Sequence, residues 1–343
     1  MGQEFKAESV FSQDSPPISE IDNESGWSPE QKESFLPPFE KPITILRQLS
    51  PEVLSIMNVS KNVSPHLSSP QTSETITKNL TTLLLAGDIL CTRFISSRSI
   101  CVVNISPTLT IKIHISGENL DHLDLIDYIR VQNCNIPIPE TYGVLGIGSK
   151  MYVFMRHIAG KTLHDVWPVL DCEQRIYISE KLSGILSSLR EIEYAPGSPL
   201  GWNQMVKDWR QRTRVGHNIC SEKEFNDFLL SNPPNPISRT ESSQLNALLS
   251  ASHRIVLSHG DLHPGNIMVD PESLEVAAVI DWEFGGWYPE YWEFVKAMEP
   301  GPWDDWWRWF PRGAAGYELE WGVDMVLDRV LGYGVVGIGC GDE

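Results

Sequence analysis

His259, Gly260 and Asp261, followed five positions after the aspartate by Asn266, form an H-x-D-x-x-x-x-N pattern inside LSHGDLHPGNIMVD (257–270). An aspartate at the start of a loop can accept the proton of an attacking hydroxyl. An asparagine five positions later can turn its carbonyl oxygen onto a magnesium ion. The Pro264-Gly265 turn between them brings both side chains to one side of a site. Fifteen residues beyond Asn266, Asp281 closes the apolar run AAVI. Asn266 and Asp281 then stand at the ends of two adjacent strands joined by a turn near DPES, and offer the hard oxygen donors that suit Mg²⁺. Lys112 lies in an earlier apolar run, LTIKIHI, where an ammonium can meet phosphate. Taken alone it suits equally an edge strand with an outward lysine. His259 and His263 invite a zinc reading, but no third ligand has the right spacing, so both are expected to serve as hydrogen-bonding braces.

These groups need a scaffold, and the chain supplies one in two textures. ICVVNIS and LTIKIHI are β-branched runs bounded by Ser, Pro and Gly, and read as strands. ENLDHLDLIDYIRVQ follows with Leu120, Leu123, Ile126 and Ile129 at helical spacing. IPIPETYGVLGIGSKMYVFMRHIAG reads as two more strands around a Gly-rich turn. After Gly160 the pattern becomes helical. TLHDVW opens a helix, and residues 171–192 form the longest, with Ile176, Leu182, Leu186 and Leu189 on its apolar side. SSQLNALLSAS is a helix leading into the H-x-D stretch, LEVAAVIDWEF is a strand, and YPEYWEFVKAM is a helix with a proline near its start. The fold class is therefore α+β. Residues 1–75 are rich in Ser, Pro, Glu and Asn and are expected to be a mostly disordered extension. Within them, ITILRQLSPEVLSIM (43–57) reads as a short docked helix pair or a transient amphipathic segment. The remaining divisions are 76–155, 156–331 and a Gly-rich tail, 332–343.

Composition narrows the partners. The chain has 343 residues, a formal net charge of -18 and 41% hydrophobic residues. So acidic a surface repels phosphate backbones, which excludes nucleic acid as an expected partner. A cationic substrate fits the acidity, and so does a simply solvated acidic surface. Six scattered cysteines without a C-x-x-C pair fit reduced thiols in a cytoplasmic protein. No apolar run approaches the ~20 residues of a membrane helix, and the N-terminus lacks a secretory pattern.

The motifs together resemble the aminoglycoside phosphotransferase/choline kinase group of small-molecule kinases, especially its fungal branch. The pieces that carry the likeness are IKI (111–113), IPIPETYG (136–143), VFMRHIAGKTLHDVW (153–167), LSHGDLHPGNIMVD (257–270) and VIDWEFGGWYPEYWEFVKAM (279–298). They run in family order over about 85–300 of the chain. The protein-kinase catalytic loop has the same H-x-D-x-x-x-x-N spacing, and a kinase keeps a phosphate-binding lysine on an early strand. The resemblance implies a bilobal protein-kinase-like fold, with a small β-rich N-lobe (76–155) and a larger, mainly helical C-lobe (156–331). It implies ATP and Mg²⁺ as cofactors and a hydroxyl-bearing small molecule as acceptor; the oligomeric state stays open, with a monomer expected. Asp261 would be the catalytic base, Asn266 and Asp281 the metal ligands, and Lys112 the phosphate contact. Backbone groups of Arg156 and His157 would touch adenine at the hinge between lobes. An acid on the following helix would pair with Lys112, with Glu118, Asp121 and Asp124 all open as candidates. The chain departs from the family in lacking a Gly-rich loop, whose place ISSRSICVV (95–103) takes, and in a helical C-terminus cut short after WDDWWRWF.

Other patterns carry less. GYGVVG (332–337) matches G-x-G-x-x-G without a strand–helix unit around it. AGKTL (159–163) lacks the first glycine of a phosphate loop, since Met155 stands there. Trp303, Trp306, Trp307 and Trp309 suit helix packing or an aromatic pocket. Glu283, Glu290 and Glu293 are candidates to face a cationic substrate. Two other functions compete with a small-molecule kinase. A protein kinase would need a longer segment between Asp281 and the helix near 290 to dock a peptide. A catalytically weak or inactive kinase-like binding module would fail to bind Mg-ATP at millimolar levels.

Overall fold

β-Branched side chains crowd a helix but fill a pleated surface, and the N-terminal half of this chain collects them. The computed structural model describes residues 33–38, 41–58, 70–95, 98–115, 120–132, 135–208, 215–233, 236–298 and 305–331. Six strands form one antiparallel sheet: β1 Ile43–Arg47, β2 Asp88–Ile95, β3 Arg98–Ser106, β4 Leu109–Ile115, β5 Thr141–Ile147 and β6 Lys150–Arg156. Their order is β1-β5-β6-β4-β3-β2. Helices α1 Pro51–Ile56, α2 Pro70–Ala86 and α3 Asp121–Gln132 complete this lobe. Lys112 is paired with Val102 on one side and Val153 on the other, so β4 is interior and the edge-strand reading of Lys112 is excluded. Leu109, Ile111 and Ile113 are buried in a core shared with Val53, Leu80, Tyr152 and Phe154. The two-residue period of a strand turns Lys112 to the other face.

The segment 43–57 differs from its expectation. It is a strand and one helix rather than a helix pair or a transient segment, because β5 offers an open edge that β1 closes, with Ile43 opposite Ile147. Ile43, Leu49, Val53, Leu54 and Met57 are buried, so the ordered lobe begins well before residue 76. Residues 1–32, 39–40 and 59–69 of the expected extension, and the tail 332–343, lie outside the described residues.

The second lobe opens with a two-residue strand, β7 Lys161–Thr162, and α4 Leu163–Val166, whose N-terminus carries a reciprocal Thr162–Asp165 capping box. Asp171 and Gln174 cap α5 Cys172–Arg190 in the same way. The face of α5 that packs inward carries Ile178, Leu182, Leu186 and Leu189, whereas Ile176 is 48% exposed. A 3.6-residue period counts back four from Leu182 to Ile178, which corrects the expected placement of Ile176. β8 Met205–Lys207 and β9 Val215–His217 make a hairpin, followed by α6 Glu222–Leu230 and α7 Arg239–Asn246. β10 Ile255–Ser258, β11 Ile267–Val269, β12 Val276–Val279 and β13 Gly286–Pro289 then frame the H-x-D stretch. β10 pairs with β13, and β11 lies between β12 and β7. α8 Trp292–Ala297, α9 Trp306–Trp309 and α10 Glu318–Leu331 follow. Pro289 closes β13 instead of opening a helix. α10 buries Val323, Leu327 and Leu331, so the helical C-terminus runs on further than expected. Trp306 is buried edge-on against Trp167 and Phe310, which is core packing. Trp309 Nε1 donates to Asp305, while Trp303 lies outside the described residues. Among the described residues, no helix is long and apolar enough to cross a membrane.

Candidate active site

β10 ends at Ser258, and the next residues must leave the strand sharply. Gly260 does so at φ +76, where a Cβ would stand 2.7 Å from the carbonyl oxygen of Phe284. His259, buried beneath the loop, bonds in two directions. Its Nδ1 accepts the amide N–H of Asp261 at 3.2 Å and its Nε2 donates to the carbonyl of Ile280 at 2.8 Å. That pattern needs a neutral imidazole with the proton on Nε2. Burial enforces it, pulling the group down to about 4 against the opposing hydrogen bond to Ile280. Trp282 packs against the same ring, with centroids 4.6 Å apart. His263 acts locally, its Nδ1 accepting from the amide of Gly265 at 3.1 Å. Both histidines are thus braces of the loop. Among the described residues no group of three or more His, Cys, Asp or Glu side chains could hold a metal.

The loop also hangs from one carboxylate. Glu293 of α8, fully buried, accepts the amide of His259 at 2.5 Å and that of Gly260 at 3.2 Å. Burial raises its carboxyl to about 6, against these amide bonds and the nearby Arg190. The loop so held presents Asp261, whose side chain is 22% exposed and reachable from solvent. Asn266 Nδ2 donates to the Asp261 carbonyl at 2.8 Å and to its carboxylate at 3.1 Å.

The two oxygen donors meet through the β11–β12 ladder. Ile267 is opposite Val279, and the Ile280 amide donates to the Asn266 carbonyl at 2.9 Å. Asp281 is the next residue, so its carboxylate and the Asn266 amide group lie at neighbouring strand ends. Asp281 takes left-handed angles, φ 67 and ψ 56, which re-aim the chain into the Trp282–Phe284 turn. Such a conformation in a residue other than glycine is held by its surroundings and gathers at functional sites. With Nδ2 engaged by Asp261, the Asn266 side chain has Oδ1 as its remaining donor. One carboxylate and one amide oxygen fit Mg²⁺, which asks few protein ligands and takes the rest from water and phosphate.

Lys112 reaches across from the sheet. Its Nζ lies 2.8 Å from Asp281 Oδ1, with both side chains largely buried. Asp281 is not among the expected partners of Lys112. Asp124 is bonded instead by Arg47 of β1, because it faces outward on α3. Glu118 lies outside the described residues, and Asp121 opens α3. His122, buried in the same turn, feels Lys112 and Asp281. Burial first, and the Lys112 ammonium second, pull it down to about 3, so it is neutral. At the hinge, the amide of Arg156 donates to the Glu140 carbonyl at 2.8 Å and that of His157 to the Thr108 carbonyl at 3.0 Å. Both amides are therefore engaged within the protein.

The model of the phosphotransferase enzyme family matches residues 123–327, more than half of the chain. The chain belongs to the phosphotransferase enzyme family. The match takes in the loop, Asn266, Asp281 and α8, whereas Lys112 precedes it. No curated protein sequence matches this phosphotransferase. Among solved structures it is similar to an aminoglycoside-3'-phosphotransferase of type VIII, at 15% identity and a TM-score of 0.45, covering 72% of this chain and 93% of that one. It is similar to the ADP-bound aminoglycoside phosphotransferase APH(2'')-Ib at 12% identity and a TM-score of 0.48, covering 74% and 88%. A third is APH(3'')-Id from Streptomyces rimosus, at 14% identity and a TM-score of 0.41, covering 76% and 93%.

Several groups of the phosphotransferase site escape a reading by motif. Glu293 and Glu290 are both engaged within the protein. The first holds the loop, and the second bonds Arg254 Nε at 3.0 Å. Lys207 of β8 pins the turn after Asp281, its Nζ donating to the Glu283 carbonyl at 2.9 Å. The only signal for Glu293 is a carboxylate set inside the apolar run YWEFV, where burial demands partners. Nothing local points from Lys207 to a turn 76 residues away.

Proposed function

We propose that this chain transfers the γ-phosphoryl group of ATP to a hydroxyl of a small molecule. The observation that carries the reading is the Lys112–Asp281 contact, which joins the sheet of one lobe to the strand end that also aligns Asn266 and the Asp261 loop. Asp261, held by Asn266, orients the acceptor hydroxyl and takes its proton as the new P–O bond forms and the bond from the γ-phosphorus to the departing ADP breaks. Lys112 offers its ammonium to the phosphate oxygens on which charge builds. Asn266 Oδ1 and the Asp281 carboxylate would hold Mg²⁺, which when bound neutralises charge on the phosphates. His259 and Glu293 keep the loop from drifting, and drift at the reacting atoms lowers the rate.

A peptide acceptor fits less well. From Asp281 the chain passes through a single turn and the four-residue β13 to α8, with no long segment for docking a peptide. The test is ATP consumption by the purified chain over a panel of small hydroxyl compounds, with Asp261→Ala as control. Consumption that depends on a compound and disappears in the variant supports the reading. Equal consumption by both proteins overturns it.

A further inference from the structure

Helix α3 stands between the site and a part of the chain that the family model does not reach. On its inner side Leu123, Leu125, Ile126 and Ile129 join the core of the second lobe. Leu125 packs at the turn that follows Asp281, so closely that a Cβ on Gly285 would come within 2.6 Å of its methyl group. A shift of α3 is therefore felt at the turn that follows Asp281.

On its outer side α3 presents Asp124 and Asp127, three residues apart and hence on one face. Arg47, at the end of β1, bonds both. Its Nη1 donates to Asp127 at 2.8 Å and its Nη2 to Asp124. The planar guanidinium suits a fork across two carboxylates. The base from which Arg47 reaches is itself fixed. β1 is laddered to β5 from Ile43↔Ile147 to Arg47↔Val144. The amide of Ser50 then donates to the Tyr142 carbonyl at 2.7 Å, and Thr108 Oγ1 donates to Glu52 of α1 at 2.8 Å. Residue 47 lies outside the matched range 123–327.

We infer that Arg47 is a positioning residue of the phosphotransferase. By holding Asp124 and Asp127 it sets α3 against the Asp281 turn, and so sets the affinity of the site for a nucleoside triphosphate. The inference rests on the ATP reading above. Both aspartates are more than half exposed, at 58% and 54%, so the clamp is screened by salt and its effect is modest.

The test is titration of the full chain with Mg-ATP at low and at high salt. The proteins are wild type, Arg47→Met, and a charge exchange that combines Arg47→Asp with Asp124→Arg and Asp127→Arg. The expected result is that Arg47→Met weakens Mg-ATP about three- to tenfold at low salt and that high salt narrows the gap. Hydrogen exchange across 121–132 quickens, and the exchanged pairs recover affinity. If wild type binds Mg-ATP and Arg47→Met binds it equally well, the inference falls and the ATP reading stands. The inference falls likewise if the loss is insensitive to salt and the exchanged pairs fail to restore it. If wild type does not bind Mg-ATP at millimolar concentration, the ATP reading falls and takes the inference with it.

Discussion

Lys112 Nζ and Asp281 Oδ1 lie 2.8 Å apart, although 169 residues separate them in the chain. The contact fixes a lysine from the interior of one sheet to a backbone turn of the other lobe. It also predicts how substitutions at Lys112 divide. Lys112→Arg keeps the positive charge and the fold, but a wide fork cannot occupy the position of a single ammonium. Its melting temperature is expected near wild type, with kcat/KM for ATP at least about tenfold lower. Lys112→Met removes the charge, and kcat/KM is expected to fall about 10²–10³-fold. Steady-state kinetics beside thermal melting separates the two, and a fully active Lys112→Met would remove Lys112 from the mechanism.

Asp261→Asn leaves the loop its backbone bonds, including the Asn266 bond to the Asp261 carbonyl. The fold is expected intact, Mg-ATP affinity within about twofold, and turnover lower by about 10²–10⁴ because the proton acceptor is lost. Nucleotide titration together with turnover checks it. Loss of nucleotide binding in step with turnover would point to a disrupted site instead.

Gly260→Ala places a methyl group where the Phe284 carbonyl stands, at a φ that an L side chain disfavours. A destabilisation of about 1–3 kcal/mol is expected, with turnover reduced more than stability because Asp261 is the next residue. Urea denaturation and kinetics read the two effects. A neutral Gly260→Ala would show that the loop relaxes freely.

Glu293 and His259 give stability opposite pH slopes. Glu293 is raised by burial from 4.5 to about 6, so between these values the folded chain holds more protons than the unfolded one. Stability from this group therefore falls as pH rises, by on the order of 2 kcal/mol. His259 is lowered by burial from 6.5 to about 4, so the unfolded chain takes up the proton first. Its contribution is complete above pH 6.5 and is lost as pH falls toward 4. The larger shift belongs to His259, so stability is expected to rise on balance from pH 4 to 6.5. Glu293→Gln should make that rise steeper. Chemical denaturation across this range is the measurement, and a rise left unchanged by Glu293→Gln would deny the buried carboxylate its part.

The sequence by itself determined strands β3 to β6, helices α3 and α5, and the candidate residues for the chemistry. Period two in LTIKIHI and period 3.6 in the helices are local properties, and the H-x-D-x-x-x-x-N spacing is set by one loop. Asp261, Asn266 and Asp281 were legible because few residues separate them and each stands beside an apolar run. What no local pattern holds is partnership across the chain. Only the tertiary structure decided that 43–47 would be a strand, because the free edge of β5 lies about 100 residues on. It decided that Arg47 would take Asp124 and that Lys112 would reach Asp281, since the register of β4 and the facing of α3 set which charges come within reach. It decided that Glu293 would serve the loop, because a carboxylate carried into the core by its apolar neighbours must find donors there, and the amides of His259 and Gly260 are the ones the fold brings to it.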